Sequence, residues 1–304
     1  MARDKHIYIE IGGRCGNQMF QYAFARALQE KFYHDYDIQM CFKNVEKSGT
    51  SKDGWENSLK YFNTSNAHVV ESVQLRKVQY VICGAYALLK RILPNVEITM
   101  QKLLNKNGIY ASRKSHYIET IESNSKVVYC RGRFEAYQYF DFIRDELIKE
   151  FTPKEDVLEH NRALMQEIQT TQSVCVTIRR GDFLAEGNSK FNVCDKDYFA
   201  RAMQKVKEII PNAKFFVFSD DVEDIKKNFC FPDDTVYETG NDPVWEKLRL
   251  MYSCKHFIIS NSTFSWWAQY LGDYEKKIVF APLKWREGTE DCSGMYLPYM
   301  KFLD

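Results

Sequence analysis

The chain has 304 residues, enough for two domains that each bury a core of their own. Hydrophobic residues make up 45% and charged residues 27%, which is typical of a folded globular protein and unlike a disordered chain. The formal net charge is +1, and no basic stripe with interleaved aromatic residues occurs, which argues against a nucleic-acid-binding protein.

The N-terminal segment MARDKHIYIEIGG lacks the apolar core of a signal peptide, and no run of 18 uncharged apolar residues occurs. The 9 cysteines are odd in number and scattered, without a C-x-x-C, which favours buried, reduced thiols. These features predict a cytoplasmic protein and leave open peripheral contact with the inner face of the membrane.

The first half opens with a predicted strand, a glycine turn and a helix. Its predicted elements are a strand at 6–11, a helix at 18–32, a loop at 44–56, a short helix at 85–92, a strand at 127–131 and a helix at 137–151. Most of residues 58–125 show no clear pattern.

From residue 153 onward, strands and helices alternate regularly. Helices are predicted at 153–170, 196–210, 222–228, 244–254 and 265–271, and strands at 173–178, 214–218, 256–259 and 277–280. Short, continuous apolar strands between helices are typical of a parallel sheet covered on both faces. The sequence therefore predicts an α/β fold with two domains, residues 1–152 and 153–304.

Ligands of open α/β sheets bind at the carboxyl ends of strands, so the residues that follow each strand are candidates for a site. The first strand is followed by GGRCGNQ at 12–18. Its glycines let the backbone approach a ligand, the following helix N-terminus favours an anion, and Arg14 adds a fixed charge. The same residues also fit a tight turn in which Asn17 caps the helix, and this alternative stays open.

The strand at 173–178 is followed by Arg179-Arg180-Gly181-Asp182. Arginine binds a diphosphate in a bidentate way and keeps its charge, which suits a pyrophosphate leaving group. The sequence predicts that one arginine faces the ligand and the other pairs inward, with Asp182 as the obvious partner. A surface ion pair is the alternative.

Two further strand ends carry polar residues. Ser219-Asp220-Asp221 offers carboxylates to a nucleobase or ribose, or caps the next helix. The segment SNSTFSWW at 260–267 places hydroxyls and amides at a helix N-terminus, where an anion is favoured. Its two tryptophans fit either a sugar pocket or core packing, and we expect core packing for at least one.

Four segments together resemble the α-1,2-fucosyltransferases of bacterial and animal type, a glycosyltransferase family 11-like pattern. They are GRCGNQMFQYA at 13–23, IRRGDF at 178–183, FVFSDD at 216–221 and SNSTFSWW at 260–267. They occur in the family's order and span nearly the whole chain, with residues 58–125 the least covered.

The resemblance implies a GT-B fold, in which two Rossmann-like domains with parallel sheets face each other across a cleft. It implies GDP-β-L-fucose as co-substrate, held mainly by the C-terminal domain, with the acceptor on the N-terminal side. It implies inverting transfer to the 2-hydroxyl of a terminal galactose in a glycan, without a metal or other cofactor. O-antigen or capsule biosynthesis is the setting that this activity implies.

The resemblance also implies roles for individual residues. Arg179 and Asp182 are the expected catalytic residues, Arg179 by holding the β-phosphate as GDP departs. The expected donor-binding residues are Arg14, Gly16, Asn17, Gln18, Thr177, Arg180, Asp220, Asp221, Asn261, Ser262, Thr263 and Phe264. Thr177 stands where the family usually has a histidine, so no base comes from that position. Glu135, Asp182 and Glu186 are acids among which the sequence does not choose a general base.

Three other readings compete with this one. A metal-dependent glycosyltransferase would use a D-x-D, and Asp35-Tyr36-Asp37 and Asp195-Lys196-Asp197 have that spacing. A catalytically silent protein that binds a GDP-sugar or a glycan would keep the same fold. A protein O-fucosyltransferase-like enzyme would share the first segment, although STFSWW at 262–267 and the absence of a signal peptide favour a glycan acceptor.

Overall fold

The computed structural model describes residues 5–49, 54–64, 67–93, 95–180, 189–239, 241–288 and 290–303. The chain divides into two compact units. Unit 1 comprises Met1–Phe151 and Ser293–Met295, and unit 2 comprises Thr152–Cys292 and Tyr296–Asp304. The short return of 293–295 to unit 1 has no counterpart in the sequence prediction.

Unit 1 is built on a five-stranded sheet in the order β3-β2-β1-β5-β4, and the paired strands are all parallel. The strands are β1 His6–Glu10, β2 Asp37–Cys41, β3 Ala67–Val69, β4 Ile109–Ser112 and β5 Val127–Gly132. The helices are α1 Cys15–Phe32, α2 Lys43–Glu46, α3 Lys77–Leu89, α4 Val96–Lys106 and α5 Arg144–Glu150.

Unit 2 is built on a six-stranded parallel sheet in the order β11-β10-β9-β6-β7-β8. The strands are β6 Gln172–Ile178, β7 Ala213–Ser219, β8 Val236–Tyr237, β9 His256–Ile258, β10 Val279–Pro282 and β11 Met300–Leu303. The helices are α6 Arg162–Thr170, α7 Lys196–Ile209, α8 Val222–Asn228, α9 Val244–Tyr252 and α10 Thr263–Leu271. The predicted fold class, two α/β units with parallel sheets, is confirmed.

The largest error of the sequence prediction is the helix at 153–170, because only Arg162–Thr170 is α-helical. Side chains of α9 bind the main chain just before it. Glu246 accepts a hydrogen bond from the Leu158 N–H at 3.0 Å, and Arg249 donates to the carbonyl oxygen of Glu155. These main-chain groups are thus satisfied from another element, which removes the need for helical hydrogen bonds.

The predicted helix at 137–151 is also shorter than expected. Two 3₁₀ turns, Tyr137–Tyr139 and Asp141–Ile143, precede α5. Phe140 lies between them and is fully buried, with its ring 5.8 Å from that of Phe20. Packing of this side chain onto α1 therefore interrupts the regular helix.

Trp266 and Trp267 of α10 are fully buried and belong to the core of unit 2. Trp266 stacks on Tyr270 with ring centroids 4.8 Å apart, and Trp267 meets the edge of the same ring at 5.4 Å. Core packing therefore applies to both tryptophans, and neither lines a sugar pocket. Their burial fixes the position of α10 beneath the sheet edge.

His256 at the start of β9 is buried in its neutral form. Its Nδ1 accepts a hydrogen bond from the Ile278 N–H at 3.1 Å, which requires a lone pair on that nitrogen. Burial, with a smaller contribution from Lys255, lowers the pKa of His256 from 6.5 to about 4. Because the folded pKa lies below the unfolded one, the unfolded chain takes up the proton first as the pH falls.

Acidification is therefore expected to destabilise the protein through His256 as the pH falls from about 6.5 toward about 4. The loss in the free energy of unfolding reaches about 3 kcal/mol at the lower end, at about 1.4 kcal/mol per pKa unit. Urea unfolding at about pH 7 and about pH 4.5 measures it. The variant His256→Gln should lose this part of the pH dependence, while the exposed His34→Gln should keep it. An unchanged pH dependence in His256→Gln contradicts the assignment.

No helix in the described residues combines the length and the apolar character that crossing a bilayer requires.

Candidate functional site

The order of strands in unit 2 identifies one place as the expected ligand site. From β6 the chain runs to β7 and β8 on one side, and it later adds β9, β10 and β11 on the other. Ligands of such sheets bind at the carboxyl ends of the strands where the order reverses. In unit 2 that point lies between β6 and β9, so the residues that follow these strands are the first candidates.

Arg179 is the first residue after β6, and Asp220 is the first after β7. The strands pair in parallel with Ile178 opposite Ser219, which brings the next two residues side by side. The Nε of Arg179 lies 3.2 Å from Oδ2 of Asp220, and the guanidinium side chain is 26% exposed. Oδ1 of the same carboxylate accepts the main-chain N–H of Arg180 at 2.8 Å. Asp220 therefore holds Arg179 at the switch point and leaves it accessible.

Arg180 turns away from Arg179 and pairs with a different carboxylate. Its Nε donates to Oδ2 of Asp224 on α8 at 2.8 Å, and its guanidinium lies 5.5 Å from the ring centroid of Phe229. Arg179 and Arg180 thus pair with different carboxylates, and their side chains are 26% and 17% exposed. Which of the two faces a ligand stays a prediction, and the carboxylate that binds Arg180 is Asp224. The predicted partner Asp182 falls within 181–188, outside the described residues.

The N-terminus of α10 lies at the same sheet edge as Arg179, because β9, which leads into α10, pairs with β6. Ser260 follows β9, and its N–H donates to the Oγ1 and the carbonyl oxygen of Thr177 on β6, both at 3.2 Å. Ser262 is the N-cap, and its Oγ accepts the Phe264 N–H at 3.3 Å. The first-turn N–H groups of α10 lack partners within the helix, as at every helix start, and they favour an anion.

Two residues predicted to contact the donor have another role here. Thr177 is 3% exposed, and its hydroxyl is occupied by Ser260. Asn261 is 5% exposed, and its amide donates to the carbonyl oxygens of Phe191 and Trp285, each at 2.9 Å. Both side chains therefore hold the loop that carries Ser262, Thr263 and Phe264, and these three half-buried residues remain candidates for donor contact.

Asp221 is the N-cap of α8, since its Oδ1 accepts the N–H of Asp224 at 3.0 Å. This is the capping alternative that the sequence left open. Asp220 in turn is engaged by the two arginines. Asp220 thus binds the two arginines and Asp221 caps α8. A contact of either carboxylate with guanine or ribose stays a prediction.

In unit 1 the strand order reverses between β1 and β5. At this edge two glycines allow neighbouring parts of the chain to lie closer together than a side chain would permit. Gly13 has φ +77°, and a Cβ on it would lie 2.7 Å from the Cβ of Asn17. A Cβ on Gly132, at the end of β5, would lie 1.9 Å from the carbonyl oxygen of Ser112. Any side chain at either position therefore displaces the turns at this edge.

The first motif of the sequence folds as a braced turn. Arg14 is the N-cap residue of α1, and its guanidinium lies 5.8 Å from the ring centroid of Trp55. Gly16 is buried in the first turn. Asn17 does not cap the helix, because its side chain donates to Oε1 of Glu135 at 3.1 Å.

Gln18 is fully buried and bound to main-chain groups on both sides. Its amide donates to the carbonyl oxygens of Gly13 at 3.0 Å and Glu56 at 2.7 Å, and accepts the Ser58 N–H at 2.9 Å. With no exposed polar atom left for a ligand, Gln18 positions the 54–58 segment, contrary to its predicted role as a donor contact.

Glu135 is unsuited to act as a general base in this arrangement. It is 2% exposed, and its second oxygen accepts the Ser115 hydroxyl at 2.7 Å and lies 3.7 Å from Arg133. Its carboxylate joins the turn after β5 to α1 through Asn17. The other two candidate acids, Asp182 and Glu186, lie outside the described residues.

The two D-x-D triplets serve structure in the part of the chain that is described. Asp195 is the N-cap of α7 and accepts the Tyr198 N–H at 2.7 Å, and Asp197 lies in the first turn. Asp35 pairs with Lys5 at 2.6 Å, and Asp37 begins β2. Across the described residues, no cluster of three or more His, Cys, Asp or Glu side chains is arranged to hold a metal ion.

Sequence reasoning missed several residues at these edges. Asp224 gave no signal, because its pairing with Arg180 depends on the tertiary fold. Gln21 was likewise missed, although it bridges the switch point of unit 1: it accepts the Gly12 N–H and donates to the Gly132 carbonyl, each at 2.9 Å. The basic run Arg131-Gly132-Arg133 does carry a signal in the sequence, because it stands at the carboxyl end of a predicted strand, where ligands of such sheets bind.

The sequence matches a profile of "Glycosyl transferase family 11" over residues 6–291. The chain belongs to glycosyltransferase family 11. It is 30% identical over 295 residues to an Escherichia coli alpha-1,2-colitosyltransferase, covering 93% of each chain. It is 27% identical over 297 residues to the E. coli O-antigen biosynthesis glycosyltransferase WbnK, covering 93% of this chain and 96% of WbnK.

Animal relatives of this family 11 glycosyltransferase match over a shorter stretch. The mouse galactoside 2-alpha-L-fucosyltransferase Sec1 is 28% identical over 147 residues, 45% of this chain and 40% of Sec1. Among solved structures, a NodZ alpha-1,6-fucosyltransferase co-crystallised with GDP aligns at 12% identity with a TM-score of 0.49, covering 87% and 91% of the two chains. The predicted family and the predicted class of enzyme, a glycosyltransferase, are confirmed.

Proposed function

We propose that this family 11 glycosyltransferase transfers L-fucose from GDP-β-L-fucose to the 2-hydroxyl of a terminal galactose in a glycan, forming an α-1,2 linkage. The observation that carries the proposal is Arg179, held by Asp220 at the switch point of unit 2, at the same sheet edge as the N-terminus of α10. The donor then belongs to unit 2 and the galactoside acceptor to unit 1. The transfer is inverting and uses no metal.

The chemistry of the leaving group explains this arrangement. As the bond between the anomeric carbon and the β-phosphate oxygen breaks, negative charge grows on the diphosphate of GDP. A guanidinium and the N–H groups of a helix start are fixed positive groups, which stabilise that growing charge more than the ground state. Asp220 keeps the guanidinium oriented before the substrate arrives, so little reorganisation is needed.

The new bond forms from the acceptor oxygen to the face of the anomeric carbon opposite GDP. The proton of the attacking hydroxyl passes to a base during or after this step, and GDP departs with the electrons of the broken bond. The Glu135 carboxylate already accepts hydrogen bonds from Asn17 and Ser115, so we assign the proton to a different base. In this proposal the base is a solvent-exposed carboxylate on the side of the acceptor glycan, or the solvent itself.

A second donor is supported by one specific observation, the 30% identity to an alpha-1,2-colitosyltransferase over 93% of the chain. Colitose differs from L-fucose only in lacking the 3-hydroxyl. A site that bonds this hydroxyl rejects the deoxy sugar strongly, whereas a site that merely accommodates it discriminates weakly. Comparing the rates of transfer from GDP-fucose and from GDP-colitose therefore shows which of the two is the donor.

The test compares initial rates of GDP release with GDP-fucose, GDP-colitose and GDP-mannose in the presence of lactose. We expect GDP-fucose to give the highest kcat/KM and GDP-mannose to give no transfer. A higher kcat/KM with GDP-colitose would reassign the donor. Tight GDP binding without turnover on any donor or galactoside would favour the silent binding protein, and transfer only to a folded protein domain would favour the O-fucosyltransferase.

A further inference from the structure

A pocket of about 370 Å³ opens at the carboxyl edge of the unit 1 sheet, and its charge is strongly positive. Four cationic side chains line it against a single carboxylate: Lys90, Arg113, Arg131 and Arg133 against Glu10. The cations come from two strand ends, those of β4 and β5, and from the end of α3, while Glu10 ends β1. The net charge of the whole chain is only +1, so this concentration is local.

The one carboxylate neutralises only part of this charge. Oε2 of Glu10 lies 3.1 Å from Nε of Arg131 and accepts from Asn44 at 3.3 Å, while Oε1 accepts the hydroxyl of Tyr129 at 2.6 Å. Arg133 lies 3.7 Å from Glu135. Within the described residues, no carboxylate pairs with Arg113 or Lys90, and these two carry the surplus.

The surplus charge acts on Lys90 itself. Burial first, and then the cations Arg113, Arg131 and Arg91, lower the pKa of Lys90. A lysine with a lowered pKa costs stability at neutral pH, where it is still charged. An anion bound in the pocket would relieve the part of this cost that comes from the neighbouring cations.

We propose that this pocket binds a phosphate or diphosphate group carried by the acceptor glycan. The proposal rests on the proposed function, in which unit 1 holds the acceptor. A guanidinium can bind two oxygens of one phosphate through paired N–H groups, and Lys90 adds a point charge from the end of α3. A neutral galactoside would supply no negative charge to Arg113 and Lys90, whereas a glycan phosphate would bind at the sugar site and the charged site together.

The test has a binding arm and a kinetic arm. Inorganic diphosphate is titrated into the protein in saturating GDP, and Arg113→Ala and Lys90→Ala are each expected to weaken its binding at least about tenfold. The exposed Lys102→Ala is the control for charge alone, and Arg179→Ala is the control for the donor site. Both controls should bind diphosphate as the native protein does. Binding that is absent, or unchanged in the two pocket variants, overturns the proposal.

The kinetic arm compares lactose with lactose 1-phosphate as acceptors. A lower KM for the phosphate, lost in Arg113→Ala while the rate with lactose is kept, supports the site. Equal KM values in the native protein overturn it. Failure to transfer to either acceptor counts against the proposed function instead, and the binding arm still decides whether the pocket takes an anion.

A separate observation concerns the outer face of α3. Val78, Val81, Ala85 and Leu88 recur at spacings of three and four residues, so they form one stripe. Val81 is 71% exposed and Leu88 64%, and Ile92 just beyond the helix is 78% exposed. The 18 residues from 76 to 93 contain four basic side chains and no acidic one: Arg76, Lys77, Lys90 and Arg91.

We propose that this face of α3 rests on an anionic lipid bilayer. An exposed apolar stripe in a segment, 76–93, that carries four cations and no acidic residue matches the interfacial helices that bury one face at the headgroup boundary. A second copy of the chain fits less well, because a two-fold contact would bring the same cations together.

Flotation with vesicles tests the surface. The native protein is expected to float with phosphatidylcholine vesicles that contain about 30% phosphatidylglycerol, and less with phosphatidylcholine alone or in high salt. The double variant V81D/L88D should stay in solution, while I209D, at a 49% exposed position of α7, should float. Equal flotation of the double variant overturns the proposal. So does a native dimer that V81D/L88D dissociates without any binding to vesicles.

Discussion

Arg179→Ala is expected to lower kcat for glycosyl transfer by about 100- to 1,000-fold, the usual loss when one fixed donor to a developing negative charge is removed. The affinity for GDP should fall less, because the charge on the diphosphate grows only as the sugar departs. Steady-state rates of GDP release and a titration with GDP separate the two effects.

Three further variants show whether Arg179 acts as proposed. Arg179→Lys keeps the positive charge but loses the paired N–H donors of the guanidinium, and should recover only part of the rate that Arg179→Ala loses. Asp220→Asn weakens the group that orients Arg179 and should lower kcat with little change in stability. Arg162→Ala removes an arginine with a 67% exposed side chain paired to Glu159, and should leave the rate unchanged. A fully active Arg179→Ala would remove the basis of the proposed site.

Trp266→Ala is expected to lower the free energy of unfolding of unit 2 by about 3–5 kcal/mol, the usual cost of truncating a buried large aromatic side chain. The ring is fully buried between Trp267 and Tyr270, so its loss leaves a cavity beneath α10. Urea unfolding followed by circular dichroism measures the change, and Trp266→Phe should lose less.

The matched control is Leu283→Ala, at a position in the same unit that is 51% exposed. It should change the free energy of unfolding by less than about 0.5 kcal/mol. If Trp266→Ala were as stable as this control but had lost glycan binding, the indole would belong to a sugar pocket rather than to the core. Its complete burial argues against that outcome.

The parallel sheet of unit 2 was predictable because its strands are continuous apolar runs that end in polar residues. Val174, Val176 and Ile178 are buried as that pattern indicates, and β6 continues directly into Arg179. The register of β6 against β7 sets Ile178 opposite Ser219, one residue away from the alignment that matching the first polar residues after each apolar run would give. The strand ends therefore identified the candidate site.

The partners of the site residues were not predictable in the same way. Asp220 follows β7 and Asp224 lies four residues later in the first turn of α8, so only the path of the chain between them decides which arginine each of them binds. Gln18 lies in the first turn of α1 and Asn261 in the loop before α10, and at both places ligand contact and bracing of a neighbouring loop have the same sequence signal. Burial distinguishes the two, and burial is a property of the folded chain.

Residues 58–125 show why the middle of unit 1 escaped prediction. The outer stripe of α3 is apolar, so the helix lacks the polar face by which a surface helix is usually identified. β3 and β4 have three and four residues, too few to show a periodicity. The exposed apolar residues by which we propose that α3 contacts a membrane are thus the same residues that hide its helical pattern in the sequence.

The most direct test of the central claim is transfer from GDP-fucose to lactose in excess EDTA, with the linkage of the product determined by NMR. The matched acceptor is lactose that lacks the 2-hydroxyl of its galactose. The proposal predicts an α-1,2-fucosylated product from lactose, no product from the deoxy acceptor, and an undiminished rate in EDTA. Product from the deoxy acceptor, or a rate that returns only when a divalent metal is added, would contradict it.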